Sequence, residues 1–338
     1  MREARLAVVG IGNVGSTFIQ GLAYYSNPKN KIGLWHEKIG GFRPSDLKVV
    51  AAFDIDPAKV GKPLSHRALY PDRSFELKDS KVEISPGYVF DTEAPQKLEV
   101  KTASAKEMGK LIEDSGADVV VSLISSGMDK TSSEYARISL KSGASFVNAT
   151  PASVASNPSL RKQFRKEKLV LAGDDLLSQF GGTAFHKAMI DFMVERGVHV
   201  TKSYQLDVGG SLETKRTMDE HIKMQKREMK TDSIGMEAPY KFESVAGTTE
   251  YTDFLGDSRN SYYWMSSEGF LGSRIIMDLT LRTSDGPNAG NVILDVVRAA
   301  ASKGNAKDSE CISAYGFKSP PVKCGIRRAY SNFIKTFG

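Results

Sequence analysis

Residues 8–17 read Val-Val-Gly-Ile-Gly-Asn-Val-Gly-Ser-Thr, and the apolar run Leu6-Ala-Val-Val leads straight into them. A short apolar strand, a Gly-x-Gly-x-x-Gly turn and an amphipathic helix through Phe18 and Leu22 form the opening unit of a dinucleotide-binding fold. Gly10 permits the tight turn, Gly12 lets backbone approach a pyrophosphate, and Gly15 lets the helix pack closely on the sheet. The pyrophosphate would sit on the helix N-terminus, where free N–H groups and the helix dipole favour an anion. Gly10, Gly12, Asn13, Val14 and Gly15 are therefore the first candidate cofactor residues. A glycine turn by itself is common; the strand before it and the helix after it give it this meaning.

Working outward, a polar stretch from Ser26 to Asp46 precedes a second strand, Lys48-Val-Val-Ala-Ala-Phe, which ends at Asp54. An acidic residue there can accept hydrogen bonds from the adenosine ribose, favouring NAD over NADP. The usual interval is about twenty residues. Here it is about twice that, so Ser26–Asp46 reads as an insertion, with Asp56 a second candidate for the ribose. Three more apolar runs follow: Asp118-Val-Val-Val-Ser-Leu-Ile, Ser145-Phe-Val-Asn-Ala and Lys168-Leu-Val-Leu-Ala-Gly. Helical patterns such as Glu134–Ser142 and Pro158–Lys166 separate them, and strands alternating with helices predict a doubly wound parallel sheet of the Rossmann type. Ligands of such sheets bind beyond the carboxyl ends of the strands. Ser122 and Ser125, Ala149 and Thr150, and Asp174 and Asp175 then border the cofactor. Helix N-caps favour the same residue types, so spacing alone leaves either role open at each tip.

From Lys202 the pattern changes. Ser203-Tyr-Gln-Leu-Asp-Val alternates as a strand and runs into Gly209-Gly210, and strand-like pieces recur at Ser261–Met265 and Arg274–Leu281. Between them Ser211–Gly247 is polar with few apolar anchors, which predicts a segment that stays mobile until ligands order it. An amphipathic helix follows Gly286-Pro287-Asn288 to about Ala301. The organisation expected is an NAD-binding domain from 1–180 and 286–338, and a second α+β catalytic and oligomerisation domain with a mixed sheet from 181–285.

The 338 residues, 40% hydrophobic and 25% charged, are long enough for two domains and a substantial core. No apolar run approaches a membrane span and no signal peptide is visible, so no membrane partner is expected. Cys311 and Cys324 read as free thiols in a reducing cytoplasm. The scattered histidines show no zinc spacing, so no structural metal is expected. A net charge of +6 lacks the arm or tract of a nucleic-acid binder. Its densest cluster is Lys215, Arg216, Lys223, Lys226, Arg227 and Lys230, which suits a pocket for a phosphorylated small molecule. Lys226 and Lys230 share one helix face, with Lys223 one turn earlier, and like charges so spaced cost about 0.2–0.5 kcal/mol per pair unless they are solvated or meet an anion.

The chain resembles the myo-inositol-1-phosphate synthase family, in particular its shorter archaeal and bacterial branch, from Val8 to about Pro321. The likeness rests on Gly10-Ile-Gly-Asn, Gln20-Gly-Leu-Ala-Tyr-Tyr, Ala51-Ala-Phe-Asp-Ile-Asp, Phe146-Val-Asn-Ala, Gly173-Asp-Asp, Tyr204-Gln-Leu-Asp-Val-Gly-Gly, Gly286-Pro-Asn and Ala314-Tyr-Gly-Phe-Lys-Ser-Pro-Pro, in that order. It implies conversion of D-glucose 6-phosphate to 1L-myo-inositol 1-phosphate with NAD regenerated in each turnover. C5 is oxidised, a C6 proton removed, the enolate closes on the C1 aldehyde, and the inosose is reduced. Such chemistry needs cations for the enolate, the alkoxide and the phosphate.

The resemblance implies roles for Lys226, Lys230 and Lys318, and for Asp285 near the nicotinamide. A fourth family lysine is replaced in Gly256-Asp-Ser-Arg by Arg259, which can hold charge but not shuttle a proton. Gly210, Ser211, Arg216 and Lys223 fall at the substrate. Ser211, Glu213 and Arg216 replace side chains that line the family's sugar site, and Leu177 replaces a lysine after Gly-Asp-Asp. Arg216 offers a second phosphate contact, which would point to another substrate. The alternatives are a related NAD-dependent enzyme for a different phosphosugar, or a non-catalytic dinucleotide-binding homologue. The resemblance also implies a homotetramer and leaves a divalent metal open.

Overall fold

The computed structural model describes residues 3–64, 81–91, 101–302 and 305–338. Its first sheet is built from β1 (Ala4–Val9), β2 (Leu47–Asp54), β3 (Ile84–Pro86), β4 (Val119–Ser122), β5 (Ser145–Asn148) and β6 (Leu171–Ala172). All pair in parallel, in the order β3-β2-β1-β4-β5-β6. The order reverses between β1 and β4, and the crevice beyond their carboxyl ends is where such sheets bind ligands.

The strands are short and apolar throughout because both faces are covered. Leu6, Val8, Val119 and Val121 pack under α1 (Asn13–Tyr25) and α8 (Asp285–Ser302), against Phe18, Leu22, Ile293 and Val297. The alternate residues Ala7, Val9 and Val120 meet Met108 and Ile112 of α2 (Ala105–Ser115), Tyr135 of α3 (Asp129–Lys141) and Phe164 of α4 (Pro158–Lys166). α8 comes from far along the chain, yet it lies along α1 and reaches β4 and β5.

The second sheet holds β7 (His199–Gly209), β8 (Glu243–Tyr251), β9 (Ser258–Glu268) and β10 (Arg274–Ser284) in the order β10-β9-β7-β8. β7 runs parallel to β8 and antiparallel to β9, so the sheet is mixed. One face carries α5 (Gly182–Glu195) and α7 (Glu220–Gly235) through Ile190, Met193, Ile234, Tyr263 and Met265. Along β7 the residues on this covered side are Ser203, Gln205 and Asp207, all buried, while Tyr204 and Leu206 face outward. With Tyr262, Trp264 and Ile276 they leave a partly exposed apolar outer face.

Ser211–Gly247 departs from the loosely held segment expected. It folds into α6 (Leu212–Arg216), α7 and the start of β8. Its anchors are largely buried polar groups, namely Thr214, Thr217, Lys230, Ser233 and Glu237, with Ile222 and Ile234. Lys187 and Glu237 form a buried pair at 2.9 Å, and Lys187 also donates to Ser233. Hydrogen-bonded polar groups here stand where apolar periodicity would have revealed a helix.

The insertion between α1 and β2 is ordered by α8. Arg298 is fully buried and donates to the carbonyls of His36, Glu37, Phe42 and Leu294. It also pairs with Asp295 at 2.6 Å, whose other oxygen takes Tyr315 Oη at 2.5 Å and lies 2.6 Å from His36 Nδ1. Arg298→Met leaves Asp295 and four carbonyls short of a donor in the interior, so it is expected to lower stability by about 3–5 kcal/mol in urea unfolding. A loss under 1 kcal/mol would show that the insertion does not depend on this pair.

Candidate functional site

The glycine turn lies at the crevice between β1 and β4. A Cβ on Gly10 would stand 2.8 Å from the Leu123 carbonyl, and one on Gly15 only 2.2 Å from the Gly10 oxygen, so both are held by close backbone packing. Around Gly12 a Cβ would meet nothing within 4 Å. α1 begins there with no side-chain cap and no acidic residue in its first turn, so the N–H groups of Asn13, Val14 and Gly15 are left for an anion. An open cradle on an uncapped helix N-terminus fits a dinucleotide pyrophosphate.

Asp54 stands at the end of β2 with both carboxylate oxygens already engaged. One accepts from Ile11 N (2.9 Å) and Lys59 Nζ (3.1 Å), the other from Ile55 N (2.8 Å) and Asp56 N (3.0 Å). It thus ties β2 to the glycine turn, and Asp56 is the more exposed of the two ribose candidates. At the other tips, Ser122 Oγ and Asp175 Oδ2 are buried with no hydrogen-bond partner among the described residues. Ser125 is exposed and Ala149 half-buried. Thr150 donates to Asn148 Oδ1, and its carbonyl accepts from Asp175 N. Asp174 is turned fully inward, accepting from Asn148, Ala155 and Ser156; burial raises its carboxyl to about 6.

Four basic side chains gather around the covered face of the second sheet, and each lies against a carboxylate. Lys226 Nζ lies 2.7 Å from Glu213, and also donates to Ser126 (3.2 Å) and Thr217 (3.1 Å). Lys230 Nζ lies 2.6 Å from Asp207. Arg259 grips both oxygens of Asp285 at 2.6–3.0 Å and reaches within 3.7 Å of Asp207. Lys318 Nζ lies 2.8 Å from Asp175, and Lys318 N donates to the Asp175 carbonyl. Asp257 closes the arrangement: it accepts from Asn13 Nδ2 (3.2 Å) on the glycine turn and from Gly286 N (3.0 Å) at the start of α8.

Burial pushes the Lys230 amine below its ordinary range, and the Arg259 and Lys318 cations add to the fall while Asp207 opposes it. For Asp207 burial would raise the carboxyl, but Lys230 and Arg259 hold it far below the usual carboxylate range. Glu213 and Asp285 are likewise desolvated yet kept low, by Lys226 and Arg259 respectively. Burial works against the charge on Arg259, and Asp285 more than offsets it.

The sequence reading brought Lys226, Lys230, Arg259, Asp285 and Lys318 into consideration, and they do converge. Gly210 is required by close approach, since a Cβ there would stand 2.4 Å from Gly256 N. Ser211 caps α6 through its hydroxyl, accepting from Thr214 N. Lys223 is half-exposed, and Leu177 is buried with its N–H on Gly316. Asp207 and Asp257 carry no role in the sequence reading, and Ser126, expected with its strand tip at the cofactor, instead meets Glu213 and Lys226. Polar residues at alternate positions of β7, Ser203, Gln205 and Asp207, were the signal available for the first. No group of three or more His, Cys, Asp or Glu side chains among the described residues is placed to hold a metal ion.

A switch-point sheet with an open glycine cradle, joined to a second sheet that buries a lysine–carboxylate pair, defines an enzyme with a nucleotide-binding fold. The family model for myo-inositol-1-phosphate synthase matches residues 181–286. Over 94% of the chain and 93% of the relative, the sequence is 31% identical to inositol-3-phosphate synthase of Mycolicibacterium smegmatis. Among solved structures it is similar to Ari2, with 27% identity, 99% of each chain covered and a TM-score of 0.78. It also shares the fold of a myo-inositol-1-phosphate synthase-related protein from Thermotoga maritima, with 19% identity, 99% and 98% covered and a TM-score of 0.82. The chain belongs to the inositol-3-phosphate synthase family and is an isomerase of that kind.

Gly12→Val tests the cradle, because the added side chain enters open space. The thermal midpoint is expected to stay within about 2 °C of the parent, while dinucleotide affinity falls by at least about tenfold. Unchanged affinity by calorimetric titration would remove Gly12 from the binding site.

Proposed function

We propose that the chain is an NAD-dependent isomerocyclase that converts D-glucose 6-phosphate to 1L-myo-inositol 1-phosphate. The observation that carries this reading is the buried Lys230–Asp207 pair, 2.6 Å apart, flanked by Arg259 and Lys318. NAD seated on the glycine turn would supply a hydride acceptor and, later in the cycle, a hydride donor. Gly10, Gly12, Asn13, Val14 and Gly15 would hold its pyrophosphate, and Ser122 and Asp175 offer unpartnered oxygens at the strand tips.

The remaining work belongs to side chains. Lys230, with its amine lowered by burial and neighbouring cations, holds and releases a proton closer to neutrality than a surface lysine does. Arg259 keeps its charge throughout, fixed by Asp285, and offsets negative charge that develops on a substrate oxygen. Lys226, held by Glu213, Ser126 and Thr217, and Lys318, held by Asp175, do the same from the other sides. In this reading the family lysine replaced by Arg259 need only be a cation. Residues 1–180 and 286–338 serve the nucleotide and 181–285 the chemistry, and the apolar outer face of the second sheet suits assembly into a homotetramer.

A related enzyme acting on another phosphosugar is favoured by three side chains: Glu213 on Lys226, Leu177 in the interior and Arg216. Incubation with glucose 6-phosphate and NAD, with and without a divalent metal, separates the two by phosphorus NMR and NADH absorbance. Inositol phosphate without net NADH is expected. No product from NAD-loaded protein under any metal condition would overturn the reading, and net NADH with another sugar phosphate would favour the second.

Arg259→Met tests the electrostatic role. Its cation lowers Lys230, so removing it raises the Lys230 amine. The rise of kcat/KM with pH, if it follows loss of the Lys230 proton, then moves to higher pH, and kcat falls by about 10²–10³-fold. An unshifted profile would show that Arg259 does not set the charge state of Lys230.

A further inference from the structure

The covered face of β7 carries a row of polar side chains through a core otherwise filled by Ile190, Met193, Ile234 and Met265. Ser203, Gln205 and Asp207 stand at alternate positions of the strand, and His186 reaches them from α5; all four are buried. His186 Nε2 meets Ser203 Oγ, His186 Nδ1 lies 3.2 Å from Gln205 Oε1, and Gln205 Nε2 donates to Asp207 Oδ1 at 2.8 Å. Ser261 donates to the same oxygen at 2.6 Å, which leaves Oδ2 for Lys230 at 2.6 Å, with Arg259 3.7 Å away. Gly182, the first residue of α5, makes room for this row. A Cβ there would fall 2.4 Å from Gln205 Nε2 and 2.9 Å from Ser261 Oγ.

Charge dictates how each group in the row points. An ionised carboxylate only accepts, so the Gln205 amide turns its N–H toward Asp207 and its carbonyl toward His186. Burial lowers the His186 imidazole to about 4, so the ring is neutral and carries one N–H, which meets that carbonyl only from Nδ1. Nε2 is then an acceptor, and the Ser203 hydroxyl donates to it. A single direction of donation thus runs from Ser203 through His186 and Gln205 to the carboxylate that holds Lys230. The other ionisable groups facing this end are Arg259 and Tyr263 on β9, Asp285 at the head of α8, and Lys318. When Lys230 gives up its proton, Asp207 loses its nearest cation. A buried carboxylate in that state takes up a proton itself unless donors steady its charge.

We propose that Gln205, fixed in one orientation by His186 and Ser203, is a positioning residue for the reaction. It holds Asp207 as an anion with Oδ2 on Lys230, so that the proton Lys230 exchanges passes to and from the substrate rather than to the carboxylate. This rests on the reading of Lys230 as the proton-handling amine. His186 and Ser203 act through Gln205.

The test uses the full chain loaded with NAD, glucose 6-phosphate as substrate, and four variants. In Gln205→Met the donor to Asp207 is gone, the carboxylate binds the Lys230 proton more tightly, and the Lys230 amine rises. The rise of kcat/KM with pH is expected to move about one unit higher, with kcat about tenfold lower and KM changing far less. Gln205→Glu keeps the shape and sets a second carboxyl beside Asp207, so its shift has the same direction and is at least as large. His186→Asn, whose amide N–H can stand where Nδ1 stands, keeps the parent profile, whereas His186→Leu follows Gln205→Met. Unshifted profiles in both Gln205 variants overturn the proposal. So does equal behaviour of the two His186 variants, which would mark the row as packing alone. The parent decides the matter without relying on any variant to fold. Nitrogen NMR of isotope-labelled histidine is expected to show His186 neutral, with its proton on Nδ1, from about pH 6 to 9. A proton on Nε2, or on both nitrogens, would reverse the donation and overturn the proposal. A parent that turns over no glucose 6-phosphate counts against the proposed reaction alone. The Lys230 titration, followed by nitrogen NMR of isotope-labelled lysine, is then read in its place: movement to higher pH in Gln205→Glu supports the role of Gln205, and an unmoved titration overturns it.

Discussion

Asp207 is the interaction on which the site depends. Its carboxylate is buried in the middle of the second sheet and accepts from Lys230, Gln205 and Ser261, with Arg259 3.7 Å away. A buried carboxylate without such partners would be untenable, and so would the lysine and arginine without it. One side chain of β7 therefore fixes α7 against β9. From Arg259 the chain of contacts continues to Asp285 at the head of α8, and Asp257 carries it to Asn13 on the glycine turn. Charge pairing thus links the second sheet to the glycine turn.

Pairing also decides what each cation can do. Burial pushes the Lys230 amine below its ordinary range despite Asp207, which in the proposed reaction suits it to exchange a proton. Arg259 is bound the opposite way, its charge reinforced by Asp285. An arginine in place of a lysine is a serious loss where a proton must move and a modest change where only charge is needed. In the proposed reaction the second case applies, with Lys230 handling the proton.

What the sequence made legible was local. The glycine turn could be read because strand, turn and helix are contiguous, and β1, β2, β4 and β5 because sheets covered on both faces are written as continuous apolar runs. The Lys226–Lys230 spacing exposed one helix face, and the family motifs supplied Arg259, Asp285 and Lys318. The rest depends on distant partners. Asp207 gains its meaning from Lys230 and Ser261, 23 and 54 residues away, and Asp257 from Asn13, 244 residues away. How firmly α7 is held was not legible, because Lys230 and Ser233, with Glu237 just beyond the helix, are buried through hydrogen bonds and ion pairs, which leave no apolar stripe.

In the proposed cycle one charge-paired site removes a hydride from the sugar and returns it to the same molecule. Glucose 6-phosphate carrying deuterium at C5 tests this directly, with the product followed by mass spectrometry in the presence of excess unlabelled NAD. Deuterium is expected to be retained in inositol phosphate turnover after turnover. Deuterium appearing in released dinucleotide, or an oxidised sugar accumulating in its place, would contradict it.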